Sequence, residues 1–320
     1  MKKVVNDLRL MIKACDMYYN ENLSQQEVAS ALNISRPTLS RLLNGAKEEK
    51  LIKIEVTDAD FVRYWELSER IKEKYHLKDV LIADSGITGE ETKKNIGRIA
   101  AAYLGHLIKD QDVVGISMGS TLHQVVMEME ECRDKKITVI PLVGGVGHAH
   151  IKIHANSLAE HLAHLYNSEF HPIFAPARVY SRVTRNGLMK DMSVTTMMTY
   201  ANKMDIAILG IGYPNEYSSI KATGYFAENE METLLQKGVA GEINMQFYDI
   251  QGDTAPFKED NYVIGVEARK LKKIPLTVGI AGGMDKEKAI KGAVAGGFVN
   301  TLITDYNCAL KLMEDDAADC

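Results

Sequence analysis

Two kinds of chemistry can be read from residue types and spacing in this chain of 320 residues. The first is the gripping of nucleic acid. Residues 23–43, LSQQEVASALNISRPTLSRLL, hold the parts of a helix-turn-helix in order. Ser24 and Glu27 have the spacing of a capping box. They predict a helix over about 25–32 that turns Val28, Ala29 and Leu32 inward. Asn33 tolerates the left-handed backbone of a tight turn, Ile34 plugs that turn, and Ser35 caps a second helix with Pro37 in its first turn. With Leu39, Leu42 and Leu43 facing inward, the outward face is Arg36, Thr38, Ser40, Arg41 and Asn44, and Gln25 at the head of the first helix joins them. Arginine pairs with guanine or phosphate, and hydroxyl and amide side chains serve both roles. Such motifs touch the major groove with the N-terminal part of the second helix. Lys47, Lys50 and Lys53 follow as candidates for the phosphate backbone, and LIKIEV at 51–56 alternates like a strand of a wing. An ordinary helix hairpin with a polar face is the competing reading.

The second is the binding of a small anion. In GISMGST, residues 115–121, an apolar strand gives way to a helix through Gly119, Ser120 and Thr121. Hydroxyls and backbone N–H groups at a helix N-terminus favour phosphate; a plain strand-to-helix turn with caps would look the same. In AGGMDK, residues 281–286, Gly282 and Gly283 let a ligand approach the backbone, and Lys286 can neutralise its charge. A solvated lysine is the alternative. A third segment is the glycine pair Gly144 and Gly145, followed by His148, His150 and His154. These histidines lack the carboxylate or cysteine that would complete a metal set, and EHLAH at 160–164 is not the His-Glu-x-x-His of a zinc protease. No base stands recognisably opposite an acid or nucleophile. No catalytic residue, metal or cofactor is therefore assigned.

The elements that must position these residues change in texture along the chain. Up to about residue 57 helix-formers dominate. Residues 60–75 read as an amphipathic helix carrying Phe61, Trp65, Leu67, Ile71 and Tyr75, packed on the larger domain or on a partner helix. Beyond it, apolar runs at 80–83, 113–117, 137–143, 206–211, 276–281 and 298–304 end in Gly or polar residues and alternate with helical patterns. Continuous apolar strands between helices predict a parallel sheet covered on both faces. The expected fold is α/β: a winged helix-turn-helix at 1–57, a linker helix at 58–76, and a doubly wound, mostly parallel effector and oligomerisation domain at 77–320. Asp205 and Asp305, at strand ends, are expected to bond backbone.

A net charge of −5 argues against indiscriminate coating of nucleic acid but leaves one small DNA-reading domain open. Cys15, Cys132, Cys308 and Cys320 are scattered, so neither a zinc site nor a disulfide framework is expected. No apolar run is long enough to span a bilayer and no leader pattern is seen; a soluble, cytoplasmic protein is expected.

The segment 23–43 resembles the helix-turn-helix of the SorC-type sugar-binding transcriptional regulators, in particular the subgroup that includes the deoxyribonucleoside regulator. The likeness continues in order through DVVGISMGSTLHQV, PLVGGVG, VAGEINMQFYDIQG, VGIAGGMDKEKAI and NTLITDYNCA. It implies an effector domain akin to sugar-phosphate isomerase folds, assembled as a tetramer. It implies double-stranded operator DNA and a phosphorylated sugar as partners, and repression of a carbohydrate or nucleoside catabolic operon. By position it adds Glu242, where the family carries an acidic residue, His154, near a polar effector contact, and Lys286. Val143 stands where relatives place a basic or polar side chain before the glycines. Two other readings remain: an active sugar-phosphate isomerase or hydrolase with an appended DNA-binding domain, and an architectural DNA binder that senses nothing.

Overall fold

The computed structural model describes residues 7–52, 59–145, 151–215, 218 and 220–314. The chain divides into two compact units, Met1–Val62 and Arg63–Cys320.

In the first unit, α1 (Leu8–Cys15) is capped by Asp7 and runs into one wide helical turn, Asp16–Asn20. α2 (Gln25–Ala31) opens on the complete capping box: Ser24 Oγ accepts from the Glu27 N–H, and the Glu27 carboxylate accepts from the Ser24 N–H. Asn33 adopts φ 52°, and the Ile34 N–H returns to the Ala29 carbonyl at 2.9 Å, which closes the turn. α3 (Arg36–Glu48) starts at Ser35, whose hydroxyl accepts from the Thr38 N–H. Met11, Ala14, Val28, Ala29, Leu39 and Leu42 meet in one core. Leu51 and Ile52 pack against that core outside any strand, and the rest of the expected wing, Lys53 included, lies outside the described residues.

α4 (Ala59–Tyr75) buries Leu67 and Ile71 in the core of the second unit. Trp65, expected among its apolar contacts, is 58% exposed, because the buried stripe follows 64, 67, 71 and 75 and leaves position 65 on the flank. The side chain of Phe61 lies outside the described residues.

The second unit continues as β1 (Asp79–Ala83), α5 (Gly89–Leu107), β2 (Val113–Ile116), α6 (Ser120–Glu128), β3 (Thr138–Pro141), α7 (Ala155–Leu165), β4 (Glu169–Phe170), α8 (Arg182–Leu188), α9 (Met192–Ala201) and β5 (Ile206–Gly212). It ends with α10 (Glu228–Gln236), β6 (Gly241–Ile243), β7 (Gln246–Tyr248), α11 (Ala268–Leu271), β8 (Leu276–Ile280), α12 (Glu287–Ala295), β9 (Thr301–Asp305) and α13 (Tyr306–Met313). Seven strands pair in parallel in the order β1-β9-β8-β5-β2-β3-β4, and the β6–β7 hairpin joins the end of β5 antiparallel. Ile206 and Ile208 enter one core with α5, α6 and α7, whereas Ala207, Leu209 and Ile211 enter the other with α4, α9, α12 and α13. The period of two thus covers both faces, as a doubly wound sheet requires.

Two runs end differently from their apolar pattern. Strand β9 begins only at Thr301; Phe298, after Gly297 at φ 64°, folds into the core beside Tyr248 with ring centroids 5.3 Å apart. Strand β3 stops at Pro141, and Val143 and Gly145 instead form single bridges to Gly265 and Pro176. Among the described residues, no helix is long and apolar enough to cross a membrane.

Candidate functional site

On the first unit, Arg36, Arg41 and Asn44 project from α3 into solvent, while Gln25, Thr38 and Ser40 are half-buried beside them. Some of this face is already engaged: the Arg36 Nε–H donates to Gln25 Oε1 at 3.3 Å, and the Thr38 and Ser35 hydroxyls bond each other at 2.8 Å. Arg41 and Asn44 lie one turn apart on the same exposed side, with Lys47 following. This is a compact cationic and amide surface on a helix whose other side is fixed by Leu39, Leu42 and Leu43.

On the second unit, the connections from β2 and β5 depart in opposite directions across the sheet, to β3 and to β8. Crevices form at such switch points, beyond the carboxyl ends of the strands. There, Gly119, Ser120, Thr121, Glu242, Gly282 and Lys286 line one cavity of about 120 Å³. Residues far apart in sequence meet because β8, β5 and β2 are adjacent and all end on that edge. Two larger surface clefts, of about 750 and 570 Å³, contain none of these side chains. The 750 Å³ cleft includes Leu77, Thr277 and Asn300, near the opposite ends of the strands from the carboxyl ends at which open α/β sheets bind ligands.

Gly119 has φ 140°, a backbone that side chains rarely adopt, and its N–H is occupied by the Ile153 carbonyl at 3.1 Å. The first amides of α6, at Ser120, Thr121 and Leu122, precede the first helical bond, from the His123 N–H to the Gly119 carbonyl, and Gly119 at the cap position has no side chain to accept from them. They are donors at the positive end of a helix. Lys286 stands at the start of α12, 19% exposed, with Asp285 at 3.7 Å. A cation at a helix N-terminus is locally disfavoured, so its placement is explained better by an anion than by the helix.

Glu242 pairs in register with Gly212, where an added Cβ would fall 2.0 Å from the carboxylate. Its Oε2 accepts from the Met245 N–H at 2.9 Å. Burial pushes its pKa up to about 7, against the pull of that N–H and of the Lys286 charge. Sequence reasoning missed Lys93 and Ser218, which also line the cavity. Lys93 sits early in α5 within GEETKKN, which reads as a solvated charge run; only its position just beyond β1 could have marked it. It also pairs with Glu90 at 2.7 Å.

Four expected residues do not line the cavity. The N–H of Gly144 is spent on the Ile264 carbonyl and that of Gly145 on the Ala175 carbonyl, and a Cβ on Gly144 would lie 2.5 Å from that same oxygen. Gly144 is explained by close backbone packing, whereas a Cβ on Gly145 would meet only an ordinary contact at 3.8 Å. His154 precedes α7, next to Ile153, which meets Gly119. Gly283, at φ 106°, donates its N–H to Asp305 Oδ1 at 2.6 Å and so turns the chain toward Lys286. Val143 is buried in an apolar cluster with Ala177 and Phe226, which suits its type. His148 and His150 lie outside the described residues.

The Sugar-bind family model, a sugar-binding domain, matches residues 59–314, and a helix-turn-helix model matches residues 20–56. The sorbitol operon regulator of Klebsiella pneumoniae is 28% identical over 312 residues, covering 97% of this chain and 99% of the relative. The deoxyribonucleoside regulator of Bacillus subtilis (strain 168) is 30% identical over 313 residues, covering 96% and 98% respectively. The crystal structure of full-length SorC from K. pneumoniae matches with a TM-score of 0.75 over 97% of this chain and all of that one.

Proposed function

Because the chain belongs to the SorC-type sugar-binding transcriptional regulators, we propose that it represses a carbohydrate or nucleoside catabolic operon and that a phosphorylated sugar, bound in the cavity of the second unit, relieves the repression. It is a DNA-binding regulator with a sugar-binding domain, and the relatives it matches are regulators rather than enzymes. One observation carries the effector reading: Ser120, Thr121, Lys93 and Lys286 converge on one cavity with the start of α6. Cations, hydroxyls and helix amides together suit a phosphate. A cavity of about 120 Å³ is small, which suits an anionic head group with the sugar body extending outward. Glu242 can accept from a sugar hydroxyl. We also propose a cytoplasmic homotetramer that sets several helix-turn-helix units on a palindromic or repeated operator. Residues 1–57 would read DNA, 58–76 connect, and 77–320 bind effector and assemble.

A thermal-shift screen tests this reading, with paired phosphorylated and free sugars on the full chain and on residues 58–320. A ligand at about a hundred times its Kd stabilises by about 2.7 kcal/mol, or roughly 5–10 °C for a unit of this size. Stabilisation of both chains by a phosphorylated sugar alone is expected. Equal response to the free sugar would remove the phosphate, and a folded shortened chain blind to the ligand of the full chain would remove the self-contained sensor.

For the other unit, Arg41→Ala is expected to weaken specific operator binding by about 1–3 kcal/mol while leaving effector binding intact. Fluorescence anisotropy at matched salt measures this. Unchanged affinity would take Arg41 off the reading face.

A further inference from the structure

A chain of hydrogen bonds leaves the cavity toward α4. The loop that delivers Lys286 is held by Asp305, which is 2% exposed. Asp305 Oδ1 accepts the Gly283 N–H at 2.6 Å, and its Oδ2 accepts the Ser85 hydroxyl at 2.6 Å and the Cys308 N–H at 3.4 Å. Ser85 Oγ in turn accepts the Asn307 N–H at 2.9 Å. The preceding residue, Asp84, accepts the Tyr64 hydroxyl of α4 on Oδ1 at 2.7 Å. Its carbonyl accepts from Asn95 at 3.2 Å, on α5, the helix that carries Lys93. The Tyr64 ring stacks on Tyr306, the neighbour of Asp305, with centroids 4.9 Å apart, and the Arg63 guanidinium lies 4.6 Å from the Tyr306 ring centre.

Capping α13 needs only the bond from Cys308. The bonds to Gly283 and Ser85 tie together segments that are distant in sequence, and charge-assisted bonds of this length are strong. The glycine loop has no slack against Asp305 either: a Cβ on Gly282 would lie 2.7 Å from Asp305 Oδ1 and 2.2 Å from Ile96 Cδ1. Displacing that loop therefore displaces the carboxylate, and Ser85 with it.

We infer that Asp305 is a positioning residue of the anion cavity, and that Gly283, Asp305, Ser85, Asp84 and Tyr64 report its occupancy to α4. The inference rests on the reading of the cavity as an anion site. The part of α4 that receives the path, residues 63–75, lies in the second unit and continues the helix that starts at Ala59. The anion acts by preferring one arrangement of the path over the other.

Hydrogen–deuterium exchange on the full chain, with and without inorganic phosphate, tests this in wild type, Tyr64→Phe and Ser85→Ala. Tyr64→Phe keeps the ring stack and removes only the hydroxyl; neither variant alters a residue lining the cavity. With phosphate at ten times its Kd, amides that exchange only from the empty state slow by about tenfold. In wild type, slowing is expected in residues 120–122, 282–286 and 63–75. In both variants the first two segments should still slow and 63–75 should lose the response. If 63–75 never responds while the cavity loops do, or responds in both variants as strongly as in wild type, the coupling is overturned and the anion site stands. If the cavity loops themselves do not slow, the anion site fails and the coupling falls with it.

Discussion

Lys286→Met is expected to weaken a phosphorylated sugar by roughly 1.5–3 kcal/mol, about ten- to a hundredfold in Kd, and to leave the free sugar almost untouched. The lysine lines a cavity whose other donors include the amides and hydroxyls at the start of α6. A charge-assisted bond to phosphate is lost with the ammonium group, while methionine preserves much of the stem and its packing. Binding should be weakened and not abolished, because Lys93 supplies a second cation at the same cavity. Calorimetry with both forms of the sugar makes the comparison. Equal losses for the two forms would mean that Lys286 does not meet the phosphate.

The second large effect concerns Glu242. Its carboxyl ionises near 4.5 when solvated and near 7 in the fold. Between these values the folded state holds a proton that the unfolded state has released, so stability falls as pH rises through that window. Above pH 7 the penalty is complete and reaches about 3 kcal/mol as an upper figure; below 4.5 both states are protonated and it vanishes. Glu242→Gln removes the ionisation and keeps an oxygen that can accept the Met245 N–H. The variant is expected to exceed wild type by about 1–3 kcal/mol at pH 8 and to match it near pH 4.5. Denaturant unfolding of the ligand-free protein at the two pH values reads the difference directly. A variant equally or less stable at pH 8 would show that Glu242 is not held under strain.

Much of this protein is decided by neighbours in sequence. The capping box of Ser24 and Glu27, the left-handed Asn33, the plug at Ile34 and the cap at Ser35 are local devices, and residues 23–43 fold as their order predicts because each acts within a turn or two of itself. The same holds for the apolar runs that become β2, β5 and β8, and for the glycine turns after β2 and β8. Tertiary structure decided the rest. Glu242 reaches the cavity only because β6 pairs backward onto the end of β5, and Lys93 only because α5 leads from an edge strand to the centre of the sheet. Gly144 and Gly145 resemble a ligand loop in sequence but are consumed by backbone at Ala175 and Ile264, partners that no local pattern names. Trp65 carries the apolar bulk of a core residue and sits on the exposed flank of α4, since a helix buries a stripe chosen by the surface it meets. The pKa of Glu242 is likewise mostly beyond its sequence neighbourhood: burial, its largest cause, and the Lys286 charge come from the tertiary fold, and only the Met245 N–H is a near neighbour in the chain.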